Sequence, residues 1–199
     1  MIKLAGQGKH VVRLKSGDPM IFGRAGEEIA QLEAHGIAVA VVPGITSSLA
    51  MASELGVSLT HRDFAHLVRF VTGHSRDGEL PEGLDWRGIA DPKTTLLFYM
   101  GGRTAPAISM RLMREGLDAS TPVAVQASVS RADSEVTYTT LRELALSNAQ
   151  AFDGRPTLIG IGQAFRARTS RTAQIDPPMP TAGWQRQVLP RPVKAASSN

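Results

Sequence analysis

The chain has 199 residues, 42% of them apolar, a formal net charge of +4 and no cysteine, which excludes disulfides, iron–sulfur clusters, thiolate zinc sites and a cysteine nucleophile. No stretch approaches the ~20 apolar residues of a membrane span, and the opening residues lack the apolar core of a signal peptide. With neither of those segments the cytoplasm is the default compartment. The positive charge is concentrated at the C-terminal end, where from Ala164 onward six basic residues face the single acid Asp176 and leave the remainder at −1, which argues against a nucleic-acid footprint on the body.

In chain order, residues 3–5 followed by Gly8 read as the last turns of a helix and its stop. Residues 11–14 read as a strand, 26–35 as an amphipathic helix ending at Gly36, and 37–42 as a fully apolar strand of the buried, parallel kind. Residues 47–55 form a helix stopped by Gly56. After Thr60 come a strand at 67–72, a polar loop through Lys93, a strand at 94–100 and a helix at 105–115 closing at Gly116. Residues 122–127 and 135–140 are strands near enough in sequence to pair antiparallel, 141–146 starts a helix, and 157–161 is the last strand.

The alternation predicts an α/β fold. Its character changes from parallel-type units to a mixed sheet near Leu59, which divides the chain into a first domain over 1–59, a second over 60–168 and a proline-rich tail over 169–199. That tail has no apolar period and is expected to be disordered.

Two strand ends carry the chemistry. Lys15-Ser16-Gly17-Asp18-Pro19 follows the first strand as a tight turn, in which Gly17 permits positive φ or close backbone approach to a ligand. Pro43-Gly44-Ile45-Thr46-Ser47-Ser48 is a second strand end running into a helix, where Thr46 or Ser47 can cap the helix while a hydroxyl or free N–H faces outward. Open α/β sheets bind ligands at the carboxyl ends of their strands, so two such turns joined by one helix define one crevice. Neither a Gly-x-x-x-x-Gly-Lys-Ser/Thr nor a Gly-x-Gly-x-x-Gly pattern occurs, which weakens nucleotide hydrolysis and dinucleotide binding together. His61, Asp63 and His66 follow no established metal-ligand spacing, and no metal site is expected.

Taken in order, Arg13-Leu14-Lys15-Ser16-Gly17-Asp18-Pro19, Phe22-Gly23-Arg24, Pro43-Gly44-Ile45-Thr46-Ser47-Ser48, Leu59-Thr60-His61-Arg62-Asp63, Thr72-Gly73-His74 and Tyr99-Met100-Gly101 resemble the signature blocks of the uroporphyrinogen-III C-methyltransferases, members of the tetrapyrrole or precorrin methylases. The resemblance runs from Met1 to about Arg168. It implies two α/β domains with a cleft between them, a homodimer, a tetrapyrrole substrate, S-adenosyl-L-methionine as methyl donor, and conversion of uroporphyrinogen III to precorrin-2 on the route to siroheme and cobalamin.

By the same resemblance Ser16, Gly17, Asp18, Ile21, Thr46, Ser47, Met100 and Val129 correspond to cofactor-binding positions. Ser16 stands where Gly is more usual, and Val129 where many members have Gly, so the second loop must use a path or a conformation that Val allows. A substrate with eight carboxylates calls for basic and polar donors, for which Arg24, His61 and Arg62 are the candidates. The family's Gly-x-Gly-Pro-Gly-Asp-Pro turn, with the acid and base of its first elements, has no counterpart here. No catalytic residue is therefore assigned, and the chain alone is expected to be weakly active or inactive. The alternatives are a methylase of a later precorrin and a non-catalytic truncated domain.

Overall fold

Residues 96–99 and 122–127 carry apolar side chains on both alternating faces, so both faces of these strands have to be covered. The computed structural model describes residues 1–75, 78–148 and 154–166, and the tail expected from 169 onward lies outside the described residues. Five strands, β1 (Leu67–Thr72), β2 (Thr94–Tyr99), β3 (Pro122–Ala127), β4 (Glu135–Thr140) and β5 (Thr157–Ile161), form one sheet in the order β1-β2-β5-β3-β4. The β1–β2 pair is parallel, and β5 pairs antiparallel with both β2 and β3, as β4 does with β3. The helices are α1 (Ile2–Ala5), α2 (Ala25–Glu33), α3 (Ser47–Glu54), α4 (Trp86–Ile89), α5 (Ala105–Arg114) and α6 (Leu141–Ala145). Met1–Ala167 makes one compact unit.

Because strand side chains alternate, the sheet sorts its apolar residues into two cores. Leu96, Phe98, Val123, Val125, Ile159 and Ile161 face the helices, packing on Trp86 of α4, Ile108 and Leu112 of α5, and Leu141 and Leu144 of α6. Trp86 stacks on Phe98 with ring centroids 6.0 Å apart. Leu97, Tyr99, Ala124 and Leu158 point the other way, against Met51 of α3, Leu59 and Phe165, with Ile21 half-buried beside them. Phe165 reaches the sheet only because residue 160 is glycine: a Cβ there would lie 2.2 Å from the ring. The opposite face therefore places the two N-terminal turns over the ends of β2, β3 and β5.

The strands expected at 67–72, 122–127, 135–140 and 157–161 are present with those bounds, and 122–127 and 135–140 form the antiparallel pair expected of them. The single turn α4 stands inside the stretch expected to be loop; Asp85 caps it by accepting from the Gly88 N–H at 2.9 Å. The strands expected at 11–14 and 37–42 are not formed. Neither run enters a ladder among the described residues, and Val12, Leu14 and Val42 are each more than 80% exposed. An apolar pattern makes a segment fit for a sheet, but a strand exists only where a neighbour pairs its backbone.

Candidate functional site

The first turn is held from both sides. Gly17 takes φ +72°, the left-handed conformation its lack of a Cβ permits. Asp18 then uses both carboxylate oxygens: Oδ1 accepts from the Met20 N–H at 2.8 Å and Oδ2 from the Gly44 N–H at 3.0 Å. The second contact fastens the first turn to the next one, 26 residues on. Close approach there falls to Gly44, where a Cβ would sit 2.3 Å from the Gly17 carbonyl oxygen. At the base of the turn Lys15 donates to the Gly23 carbonyl and, at 2.9 Å, to Glu28 of α2. That hydrogen bond is the main reason the Glu28 carboxyl is held below the usual range, with the charges of Lys15 and Arg13 adding to it and partial burial opposing it.

The second turn is fastened to the sheet. Thr46 is the N-cap of α3, with φ −67° and ψ 148°, yet its side chain makes no cap bond. Its hydroxyl instead meets the Tyr99 hydroxyl at 2.7 Å, and Ser48 meets the same phenol through Oγ at 2.5 Å and through its N–H at 3.3 Å. Thr46, Ser48 and Tyr99 are all buried, so three otherwise costly hydroxyls satisfy one another at the end of β2. The Tyr99 ring is fixed by Phe22, 4.8 Å away, and Phe70, 5.9 Å away.

Opposite these turns, β3 runs out into a loop with two serines in the left-handed region, Ser128 at φ 54° and Ser130 at φ 60°. Val129 stands between them outside that region, so the loop takes the path that a β-branched residue allows. Met100, after β2, is also left-handed at φ 58° and remains 46% exposed. Ser16, Gly17 and Ile45 from the two turns, Ser47 and Ala50 of α3, Tyr99 and Met100 at the end of β2, residues 128–131, and Pro156, Thr157 and Leu158 at the start of β5 surround a hollow of about 420 Å³.

Of the eight positions expected to contact a cofactor, Ser16, Gly17, Ser47, Met100 and Val129 line this hollow. Asp18 and Thr46 stand behind it as braces for the two turns, and Ile21 packs into the core beneath Tyr99. Arg24, His61 and Arg62 do not line it. Arg24 is the left-handed N-cap of α2 and pairs with Glu27 through both Nε and Nη2. The His61 ring stacks on Phe64 at 3.9 Å and accepts from the Asp63 N–H, and Arg62 is exposed. Sequence reasoning gave no part to the Tyr99 hydroxyl or to Ile45. Tyr99 lies 53 residues from Thr46, and no local pattern announces that bond. Ile45 did carry a signal, an apolar side chain in a turn, and it is 71% exposed beside the hollow. Among the described residues no group of three His, Asp or Glu side chains is placed to hold a metal ion, and no helix is long and apolar enough to cross a membrane.

Residues 1–145 match the family model for tetrapyrrole (corrin/porphyrin) methylases. The chain belongs to the tetrapyrrole methylases. A siroheme synthase from Azotobacter vinelandii is 46% identical to it over 168 residues, and one from Pseudomonas aeruginosa is 45% identical over the same length. These matches take in 84% of this chain but only 36% of each synthase, so the chain spans about a third of the length of the curated relatives it matches. Among solved structures, uroporphyrin-III C-methyltransferase from Thermus thermophilus in its native form superposes with a TM-score of 0.69 at 36% identity, covering 81% of this chain and 67% of that one. The same enzyme complexed with S-adenosyl homocysteine gives 0.68, at 36% identity, over 81% of this chain and 70% of that one. A cobalt-precorrin-4 methyltransferase gives 0.74 at 25% identity, over 83% and 69% respectively. The mixed five-stranded α/β sheet is thus the sheet of a methylase of this family.

Proposed function

We propose that the hollow is an S-adenosyl-L-methionine site and that the chain serves C-methylation of uroporphyrinogen III to precorrin-2, the methyl-transfer step toward siroheme and cobalamin. The observation that carries this is the convergence of the two reversals, at Gly17 and at Thr46-Ser47, with Met100 and Val129 around one hollow of about 420 Å³. That size falls in the range of small-ligand pockets, about 300–1,000 Å³, and the lining joins apolar residues such as Ile45, Met100, Val129 and Leu158 to the small hydroxyl residues Ser16, Ser47 and Thr157, as a nucleoside requires.

When bound, S-adenosylmethionine supplies a sulfonium methyl group to a nucleophilic ring carbon. The chain's own part is to position. Gly17 and Gly44 keep the backbone of both turns free of Cβ atoms, the Tyr99 phenol locks the start of α3, and the Met100 thioether offers a polarizable apolar contact. The chain's resemblance to uroporphyrinogen-III C-methyltransferases extends the proposal to a tetrapyrrole substrate, a homodimer in the cytoplasm, and a first domain over 1–59 joined to a second over 60–168.

Calorimetry with S-adenosylhomocysteine tests the cofactor site. Submicromolar binding that is lost in Gly44→Val supports it, and absence of binding by the folded chain removes it. The fold similarity to cobalt-precorrin-4 methyltransferase favours a second reading, action on a later precorrin. Competition between uroporphyrinogen III and cobalt-precorrin-4 for the cofactor-loaded protein separates the two.

A further inference from the structure

The loop that forms the far wall of the hollow is costly to hold. Ser128 and Ser130, both non-glycine, lie at φ 54° and 60°, where a Cβ is crowded against the backbone. Such a conformation persists only when its surroundings over-determine it. Two carboxylates do so here. Asp133 accepts from the Ser128 hydroxyl at 2.8 Å, and this bond is the leading reason its carboxyl is held below the usual range. Glu54, the last residue of α3, accepts from the Ser130 hydroxyl through Oε1 at 2.6 Å and from the Gln126 amide through Oε2, also at 2.6 Å.

The Glu54 contacts differ from a local turn bond because they reach across the site. Ser130 and Gln126 are 76 and 72 residues away in sequence; Ser130 lies on the opposite wall, and Gln126 belongs to β3, the strand that runs into that loop. Gln126 is 3% exposed, and its amide can meet a carboxylate only with the nitrogen turned toward it, which also brings that nitrogen to 3.0 Å from the Ser134 hydroxyl. One helix is thereby fastened at both ends: its N-terminus to Tyr99 through Thr46 and Ser48, its C-terminus to β3 and the loop 128–131 through Glu54. Since α3 carries Ser47 and Ala50 into the hollow and the loop carries Val129 and Ser130, Glu54 sets the spacing of the two walls.

We propose that Glu54 is a positioning residue for cofactor binding, holding the loop 128–131 in its double left-handed conformation so that the hollow is formed before the ligand arrives. This rests on the reading of the hollow as the S-adenosylmethionine site. It is separable from that reading because the loop's order can be measured without ligand.

The test compares the full chain with Glu54→Ala, Glu54→Gln, Ser130→Ala, Ser130→Gly and the Glu54→Ala/Ser130→Ala double variant. Amide hydrogen exchange at residues 129–131, S-adenosylhomocysteine affinity and Tm are measured for each. Glu54→Ala is expected to speed exchange at these amides and to weaken binding by about tenfold each, the scale of one charge-assisted hydrogen bond. Glu54→Gln keeps one acceptor oxygen and gives an intermediate result; it also serves if the alanine variant does not fold. The double variant matches Glu54→Ala, since both sides of one contact are gone, and Ser130→Gly binds better than Ser130→Ala because glycine accepts positive φ. The proposal is overturned if Glu54→Ala and Glu54→Gln lower Tm while leaving loop exchange and affinity unchanged. If the unmodified chain does not bind S-adenosylhomocysteine but Glu54→Ala still loosens the loop, the brace stands and the cofactor reading fails.

Discussion

Two stretches of this chain have the composition of a buried strand and fare differently. Strand β2 lies inside the sheet with all six residues buried, its two threonines included, whereas residues 37–42, apolar at every position, lie outside any ladder with Val42 81% exposed. The first has β1 on one side and β5 on the other to take up its N–H and C=O groups. The second has the composition of a central parallel strand without the neighbours. Side-chain pattern states what a segment can bury, and pairing decides whether it does.

The sharpest way to break this contrast is to truncate one side chain on each side of it. Phe98→Ala removes a fully buried ring stacked on Trp86 and should cost about 3–5 kcal/mol in denaturant unfolding, while Val42→Ser should stay within about 0.5 kcal/mol. Comparable losses in the two variants would mean that residues 37–42 are covered in solution.

A smaller effect probes the seam between the regions. Tyr99→Phe strands the buried hydroxyls of Thr46 and Ser48 and should cost about 1–3 kcal/mol, with faster amide exchange over α3 than over α5. Equal protection of the two helices in that variant would show that α3 is held by packing alone.

The smallest effect lies wholly in the first region. Glu28 has its carboxyl lowered by the Lys15 hydrogen bond, so the contact stabilises the fold above the unfolded carboxylate value and is lost as pH falls through the lower, folded one. The Tm gap between the natural chain and Glu28→Gln should hold steady between about pH 6 and about pH 8 and close below about pH 4. A gap independent of pH would remove the ion pair as its cause.

Much of the sheet was legible because β1, β3, β4 and β5 combine the right period with turn residues at their ends, and each finds a partner within the described residues. The strands expected at 11–14 and 37–42 failed for the opposite reason, having pattern without partner. Within the site, Gly17 was readable since a left-handed turn calls for glycine, and Ser47, Met100 and Val129 came with the family resemblance. Illegible were the contacts that cross long stretches of chain. Thr46 has the residue type of a helix cap, but Tyr99 competes for its hydroxyl and wins; Asp18 turned out to tie two turns together; Glu54, at the end of a helix, gave no sign of reaching Ser130 and Gln126. Local sequence specifies donors and acceptors, and only the fold decides which of them meet.

The central claim is that the two N-terminal reversals and the loop after β3 bind one methyl-donor nucleoside. Titrating S-adenosylhomocysteine into the isotope-labelled chain and following backbone amide resonances tests it most directly. The account predicts saturable shifts at Gly17, Ser47, Met100, Val129 and Ser130, with residues of α5 unmoved. Shifts confined to other parts of the molecule, or none in a folded sample, would contradict it.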